Sequence, residues 1–251
     1  MSELSTKERL DLANEAKALA DAEVAALQAE LTRVKIKNEK FALQKAKQDL
    51  RIERENLLYA EASNGFDYGQ FRIAEQISGA SVGGLIRDLR AYQAVHEGEP
   101  FTVEYCSPGG SVLHGFALFD YVRQAAANGH HVTTVISGYA ASMAGVLIQA
   151  GDHRVIGAQS YLHLHEVSTG AIGKTFEVVD EAAFAVRLTR QLLDIYVQRS
   201  PKKGEKVLPA PWGGDGHVEL TTDNLVQWVT RYERWLSAEE ALALGFVDEV
   251  R

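Results

Sequence analysis

Residues 138–145 read Gly-Tyr-Ala-Ala-Ser-Met-Ala-Gly, and they join a predicted strand, Val132 to Ile136, to a predicted helix that begins at Ser142. On both sides of this segment, from Gly65 onward, short apolar strands alternate with helical patterns and glycine-rich turns. Such alternation is typical of a domain in which helices pack on a sheet. We therefore predict an α/β fold for residues 65–251.

The other elements of this domain follow from apolar residues that recur with a period of two or of about 3.6. We predict strands at Phe71 to Ala74, Phe101 to Tyr105, His153 to Ile156 and Tyr161 to His165, and helices at Val82 to Val95, Val112 to Ala127 and Phe176 to Arg199. Residues 201–219 (PKKGEKVLPAPWGGDGHVE) contain three prolines and four glycines, which predicts a loop.

Residues 1–64 form a separate region, because they contain neither glycine nor proline and consist mostly of strong helix formers. This composition predicts one long helix. Apolar residues recur at alternating spacings of three and four from Leu10 to Phe41, which is the seam of a coiled coil, and the phase changes after Phe41. The apolar stripe either packs on the chain's own domain or binds another helix, from a second copy or from a partner.

The composition of the 251-residue chain limits its class of function. A formal net charge of -8 argues against a nucleic-acid partner, which requires clustered basic residues. No segment reaches the roughly 18 apolar residues of a membrane span, and the polar start MSELSTKERL lacks the apolar core of a signal peptide. The single cysteine, Cys106, fits a reducing compartment. We expect a cytoplasmic protein with no membrane partner.

Ser142 stands where a nucleophile would be effective. A hydroxyl at a strand-to-helix junction projects from a tight turn, and the first amides of the helix can stabilise developing negative charge. Serine is also a preferred helix cap, so the segment alone permits both interpretations. Two neighbouring motifs favour catalysis over capping.

The first motif is Ser107-Pro108-Gly109-Gly110-Ser111, where paired glycines allow backbone amides to approach a carbonyl oxygen closely. The second is the strand at Tyr161 to His165, whose alternation places His163 and His165 on one face. Either histidine can serve as a base. A His-x-His pair also suits a metal, but no third ligand follows at a short spacing.

The order and spacing of these motifs, together with the closing segment WLSAEEALALGFVDEV, resemble the ClpP family of serine peptidases over Phe71 to Arg251. The resemblance implies an α/β fold with the β-β-α superhelical core of ClpP and crotonase proteins. It also implies cleavage of polypeptides through a Ser-His-acid triad and an acyl-enzyme, with no cofactor or metal.

By this resemblance Ser142 is the nucleophile, and the amides of Gly110 and Met143 form the oxyanion hole. Aligning Ser160 with the serine that opens the family's histidine strand makes His165 the general base. That alignment leaves His163 at a position that the family usually fills with an apolar residue, so His163 is the second choice.

The acid departs from the family pattern. The family's aspartate stands two residues before an aromatic-Leu-Ser-Ala run, and here Glu233 occupies that place. A glutamate can orient a histidine as well as an aspartate can. Because the longer side chain requires a small backbone shift, Asp223 is the rival candidate.

The resemblance also implies partners. Val167 to Gly173 and the helix that ends near Arg199 correspond to the handle through which rings of subunits stack, so we expect a homo-oligomer. The family commonly works with an ATP-driven unfoldase, and this chain has no P-loop of its own. The 64-residue helical extension and an insertion at residues 201–219 have no counterpart in the family.

Four functions are consistent with these observations. The first is a ring-forming ClpP-like peptidase. The second is a phage-type head maturation protease whose helical arm binds scaffold or coat protein. The third is a catalytically inactive ClpP-like structural subunit, which the Glu233 departure favours. The fourth is an acyl-CoA hydratase or isomerase, because crotonases have a similar order of strands and helices.

Overall fold

The computed structural model describes residues 6–62, 69–210, 216–230 and 232–251, and the chain divides into two compact units, Met1–Ala62 and Ser63–Arg251. The helices are α1 Thr6–Ala62, α2 Gly79–Val95, α3 Val112–Ala127, α4 Met143–Ile148, α5 Thr175–Arg199, α6 Thr222–Val229 and α7 Ala238–Ala243. The strands are β1 Gln70–Ile73, β2 Phe101–Ser107, β3 Val132–Ala141, β4 His153–Ile156, β5 Tyr161–Leu164, β6 Lys206–Pro209, β7 His217–Glu219, β8 Arg234–Leu236 and β9 Glu249–Val250.

The first unit consists of α1, a helix of 57 residues. Its described apolar side chains at the predicted seam are exposed, among them those of Val24, Leu27, Leu31, Val34 and Phe41. An exposed apolar stripe is consistent with a helix partner, and the coiled coil stays a prediction. The predicted boundary between the two regions, at residues 64 and 65, lies outside the described residues.

The second unit is built on a seven-stranded sheet in which β1, β2, β3, β4 and β9 are neighbours in that order and run parallel. The first half of β3 pairs with β4, and its last residues, Tyr139 to Ala141, pair in parallel with β5. β5 in turn pairs with the antiparallel strand β8. β3 therefore changes partner near Gly138, whose φ is 83°, immediately before the segment that carries Ser142.

Apolar side chains at strand and helix spacing form the core of this unit. β2 alternates buried and half-buried residues along its whole length, as a strand with one covered face does. α2 and α3 bury residues three or four positions apart, which is the spacing of one helix face. The most deeply buried of these residues are Leu89, Val103, Tyr105, Leu118 and Val122.

The α/β class predicted from the sequence is confirmed. The predicted strands and helices match within a few residues, except that β3 continues five residues beyond Ile136. The segment at 201–219, predicted as a loop, contains an antiparallel pair of strands, β6 and β7. The proline and glycine residues of this segment favoured a loop in the sequence analysis, so the strand pair was not predicted. The pair packs on the domain through the buried side chains of Leu208 and of Leu220, which follows β7. Residues 211–215 of this segment lie outside the description.

Among the described residues, no helix is both long enough and apolar enough to cross a membrane.

Candidate active site

Ser142 occupies a strained turn between β3 and α4. Its φ of 54° and ψ of -126° make it the one residue other than glycine with a positive φ in the described part of the chain. Such a conformation costs on the order of 1–3 kcal/mol and is typical of functional positions. The hydroxyl does not cap α4, since it makes no hydrogen bond to the first turn. The capping interpretation of Ser142 is therefore not supported.

The glycine pair lies directly against this turn. A Cβ on Gly109 would stand 2.5 Å from the carbonyl oxygen of Ala141 and 2.7 Å from Cβ of Ser142. The φ of Gly109 is 87°, which a residue with a Cβ rarely adopts. Ser107 holds the loop, because its hydroxyl donates to the carbonyl of Glu75 at 2.5 Å and accepts from the Gly109 amide at 3.2 Å.

Replacing Gly109 with alanine is expected to lower the free energy of unfolding by at least about 2 kcal/mol, because it adds backbone strain and a clash with Ala141. Thermal and denaturant unfolding would measure the loss. Gly129→Ala is the matched control, since Gly129 also has a positive φ but nothing stands within 4 Å of its added Cβ. Equal losses in the two variants would contradict the close packing of Gly109 on Ser142.

Two backbone amides beside Ser142 have no acceptor. Within the described residues, neither the amide of Gly110 nor that of Met143 donates a hydrogen bond. The neighbouring groups are occupied, because Ile77 donates to the carbonyl of Gly109 and accepts from the amide of Ser111, both at 2.8 Å. The arrangement leaves two N–H groups next to the serine for an oxygen of a ligand.

The histidine strand is tied to the nucleophile turn by backbone hydrogen bonds. The amide of Ser142 donates to the carbonyl of His163 at 3.1 Å, where Ala141 and His163 are register partners. The amide of Gly138 donates to the hydroxyl of buried Ser160 at 2.8 Å. β3 and β5 are thus neighbours in one sheet. The predicted nucleophile, Ser142, directly follows β3, and the predicted base, His165, directly follows β5.

His165 and Ser142 line the same cavity, of about 250 Å³, together with Gly110. The rest of the lining is mainly apolar, from Val112, Val146, Leu164, Val167, Leu192, Leu193 and Tyr196. Among the described residues no hydrogen bond joins Ser142 to His165. The predicted nucleophile Ser142, the predicted base His165 and one predicted oxyanion donor, Gly110, therefore line one cavity. The Ser142 hydroxyl and the His165 ring are not hydrogen-bonded to each other.

Glu233 lies beside His163. Its Oε2 atom is 3.4 Å from Nε2 of His163, while its side chain is 68% exposed. The alternative acid, Asp223, forms an ion pair with Arg190 at 2.7 Å on the exposed start of α6. Neither carboxylate contacts His165, the predicted base. The predicted acid, Glu233, contacts His163 instead.

The two histidine rings are parallel, with centroids 5.1 Å apart and planes inclined by 11°. His163 also stacks on Trp235, with centroids 4.2 Å apart, in a cross-strand pair between β5 and β8. Sequence reasoning missed Trp235 as a residue of the site, because its pairing with His163 joins strands 72 positions apart.

Two rings stacked face to face do not converge on an ion, and the described residues hold no group of three or more metal-ligating side chains.

Comparison with known proteins gives one consistent result. A family model described as Clp protease matches residues 53–251. The chain is 29% identical over 180 residues to an ATP-dependent Clp protease proteolytic subunit of Pleurastrum terricola, covering 71% of this chain and 81% of the relative. It is 26% identical over 181 residues to subunit 1 of Chlamydia caviae, covering 70% and 83%, and 32% identical over 146 residues to subunit 3 of Rhodococcus jostii, covering 57% and 61%.

Proposed function

Because the chain belongs to the Clp protease family, we propose that it is a serine-type endopeptidase that cleaves polypeptides with Ser142, His165 and Glu233. The observation that carries the proposal is the strained Ser142 with an uncapped hydroxyl, next to two unused amides, in a cavity that it shares with His165. These are the parts that acyl transfer requires: a nucleophile, a base and donors for an oxyanion.

In the proposed reaction, His165 takes the proton of Ser142 as the hydroxyl oxygen attacks the carbonyl carbon of the scissile peptide. The amides of Gly110 and Met143 hold the negative oxygen of the tetrahedral intermediate. His165 returns the proton to the leaving amine, and an acyl-enzyme forms. Water activated by His165 then hydrolyses the ester and restores Ser142.

Glu233 has the acid's role in this proposal because it directly precedes β8, just as His165 directly follows β5. His163 pairs with Trp235 and Leu164 with Arg234, so extending this register by one step beyond the two strands would set Glu233 opposite His165. Residues directly opposite in an antiparallel pair have Cβ atoms roughly 5 Å apart, and diagonal ones are within reach of a long side chain. A rotation of the glutamate side chain would move its carboxylate from His163 toward His165.

A fluorophosphonate probe tests the proposal directly, because the oxygen of an activated serine attacks its phosphorus, displaces fluoride and leaves a stable phosphonate ester. We expect covalent labelling at Ser142, identified by peptide mass spectrometry, and no labelling after His165→Ala. An assembled protein that is not labelled at Ser142 would support the inactive structural subunit. The exposed carboxylate of Glu233 and its contact with His163 are the observations that favour that second candidate.

Oligomer formation is part of the proposal, with stacked rings as the expected assembly and an ATP-driven unfoldase as a partner. The segment before α5 and the first turns of α5 present large apolar side chains to solvent, those of Ile172, Phe176, Val179 and Val186. Contiguous exposed apolar surface is typical of an interaction site. Electron micrographs of the purified protein would show whether rings form.

The helical arm α1 is expected to bind another helix, in the same assembly or on a scaffold or coat protein of a phage head. Deleting residues 1–60 should leave the rate of small-peptide cleavage within about twofold, because the second unit has its own core. The assembly mass from native mass spectrometry, with and without candidate coat protein, should change. Loss of peptide cleavage in an otherwise folded truncated protein would contradict this division of roles.

A further inference from the structure

His163 is the most unusual group near the proposed catalytic residues. It is 6% exposed, and its Nε2 atom is shielded from solvent without a hydrogen-bond partner. Its nearest carboxylate oxygen is Oε2 of Glu233, at 3.4 Å, a distance that allows a polar contact but leaves Nε2 without a full hydrogen bond. A buried polar atom without a partner is costly, and such groups call for an explanation.

The ring of His163 is the middle layer of a three-ring stack. Trp235 lies on one side, with centroids 4.2 Å apart, and His165 lies on the other side at 5.1 Å. The inclinations of 19° and 11° make all three planes nearly parallel. No ion pair or hydrogen bond joins the His165 ring to a carboxylate in the described structure, and the stack on His163 is its aromatic contact.

The backbone of His163 contacts the turn that carries Ser142. Its carbonyl accepts from the amide of Ser142, and His165 follows two positions further on, directly after the end of β5. One residue therefore contacts the nucleophile turn through the main chain, the base through its ring, and the proposed acid through Nε2.

We propose that His163 is a positioning residue, which fixes the plane of the His165 ring by stacking and holds the Glu233 carboxylate beside that base through Nε2. This inference rests on the proposed function, because it assigns a role relative to the proposed base and acid. Ring orientation matters because a base displaced by about 1 Å can lose about a hundredfold in rate.

The electrostatics of the pair are consistent with this role. Burial lowers the pKa of His163 below its ordinary value, nearby His165 lowers it further, and Glu233 opposes both effects. These two groups, His165 directly after β5 and Glu233 directly before β8, are the titratable side chains that act on His163.

Three substitutions at this position separate the two contacts. His163→Phe keeps a flat ring and removes Nε2, His163→Gln keeps an N–H donor near Nε2 and removes the ring, and His163→Leu removes both. With a small peptide and the full-length assembly, we expect kcat to fall about 30-fold for the leucine variant and about tenfold for the glutamine variant, but less than about threefold for the phenylalanine variant. KM should change less than about twofold in all three, because the ring does not bind substrate.

The pH profile of kcat/KM is the second readout. Losing the hold on Glu233 would remove a negative charge from beside the proposed base, so the acid limb of the kcat/KM profile should move to lower pH by about half a unit. We expect this shift in the phenylalanine and leucine variants and not in the glutamine variant. A merely structural role would lower stability without producing these separate patterns.

The outcomes are distinguishable from failure of the proposed function. If Ser142 is labelled and the leucine variant keeps the wild-type kcat and pH profile, the positioning role is wrong while the peptidase stands. A higher kcat in the leucine variant would also overturn the proposal, because His163 would then be drawing Glu233 away from His165. Crystal structures of the variants decide the question without activity, since the His165 ring should keep its plane in the phenylalanine variant and lose it in the leucine variant.

Discussion

Replacing Ser142 with alanine is expected to reduce peptide hydrolysis by about 10⁴-fold or more, because the reaction loses the atom that forms the acyl-enzyme. The assembly should be unchanged, since the Ser142 hydroxyl makes no hydrogen bond to the helix that follows. Stability should stay the same or rise slightly, as the side chain is small and the backbone conformation is retained. Progress curves with a fluorogenic peptide and a mass measurement of the assembly would check both statements.

Ser168→Ala is the matched control for this experiment. Ser168 lines the same cavity as Ser142 and has no role in the proposed chemistry. Its substitution should change kcat/KM by less than about threefold. If the Ser142→Ala protein cleaves peptide at a rate near that of the unmodified protein, another residue is the nucleophile.

Replacing Glu233 with glutamine is expected to lower kcat by about 10²- to 10⁴-fold, because the His165 imidazolium would lose the carboxylate that stabilises and orients it. KM should change little, as the acid does not contact substrate. The glutamine side chain has nearly the same size, so it can keep the place of Glu233 beside His163. Steady-state kinetics at several pH values would measure the loss.

Asp223→Asn is the comparison that identifies the acid. Asp223 pairs with Arg190 on the surface of α5 and α6, and removing a surface ion pair changes stability by about 0–1 kcal/mol. We expect kcat to be nearly unchanged in this variant. The reverse result, with a large loss for Asp223→Asn and none for Glu233→Gln, would assign the acid to Asp223.

Local patterns in the sequence predicted the parts of the fold that depend on near neighbours. The alternation in Tyr161 to His165 placed both histidines on one face, and their stacked rings confirm it. The bounds of α3 and β4 match the prediction, because their apolar periodicity is uninterrupted. Ser142, Gly110 and His165 line one cavity, and the roles that the resemblance implies for them stay a prediction.

Contacts between distant segments could not be predicted in this way. β8 has three residues and no distinct apolar pattern, so neither the strand nor its pairing with β5 was foreseen. As a result, the stack of Trp235 on His163 and the contact of Glu233 with that histidine came only from the structure. The family resemblance implies that Glu233 is the acid. The direction of its side chain, which the sequence does not show, determines whether the carboxylate contacts His163 or His165.

The pairing of β5 with β8 has a consequence for biosynthesis. A chain emerging from the ribosome completes β3, α4 and β5 long before it reaches residues 234–236. Until β8 adds to the sheet, Trp235 cannot stack on His163, and Glu233 has no fixed position beside that histidine. In the proposed enzyme, nascent and truncated chains would therefore carry Ser142 without the stack of Trp235 on His163 beside the base.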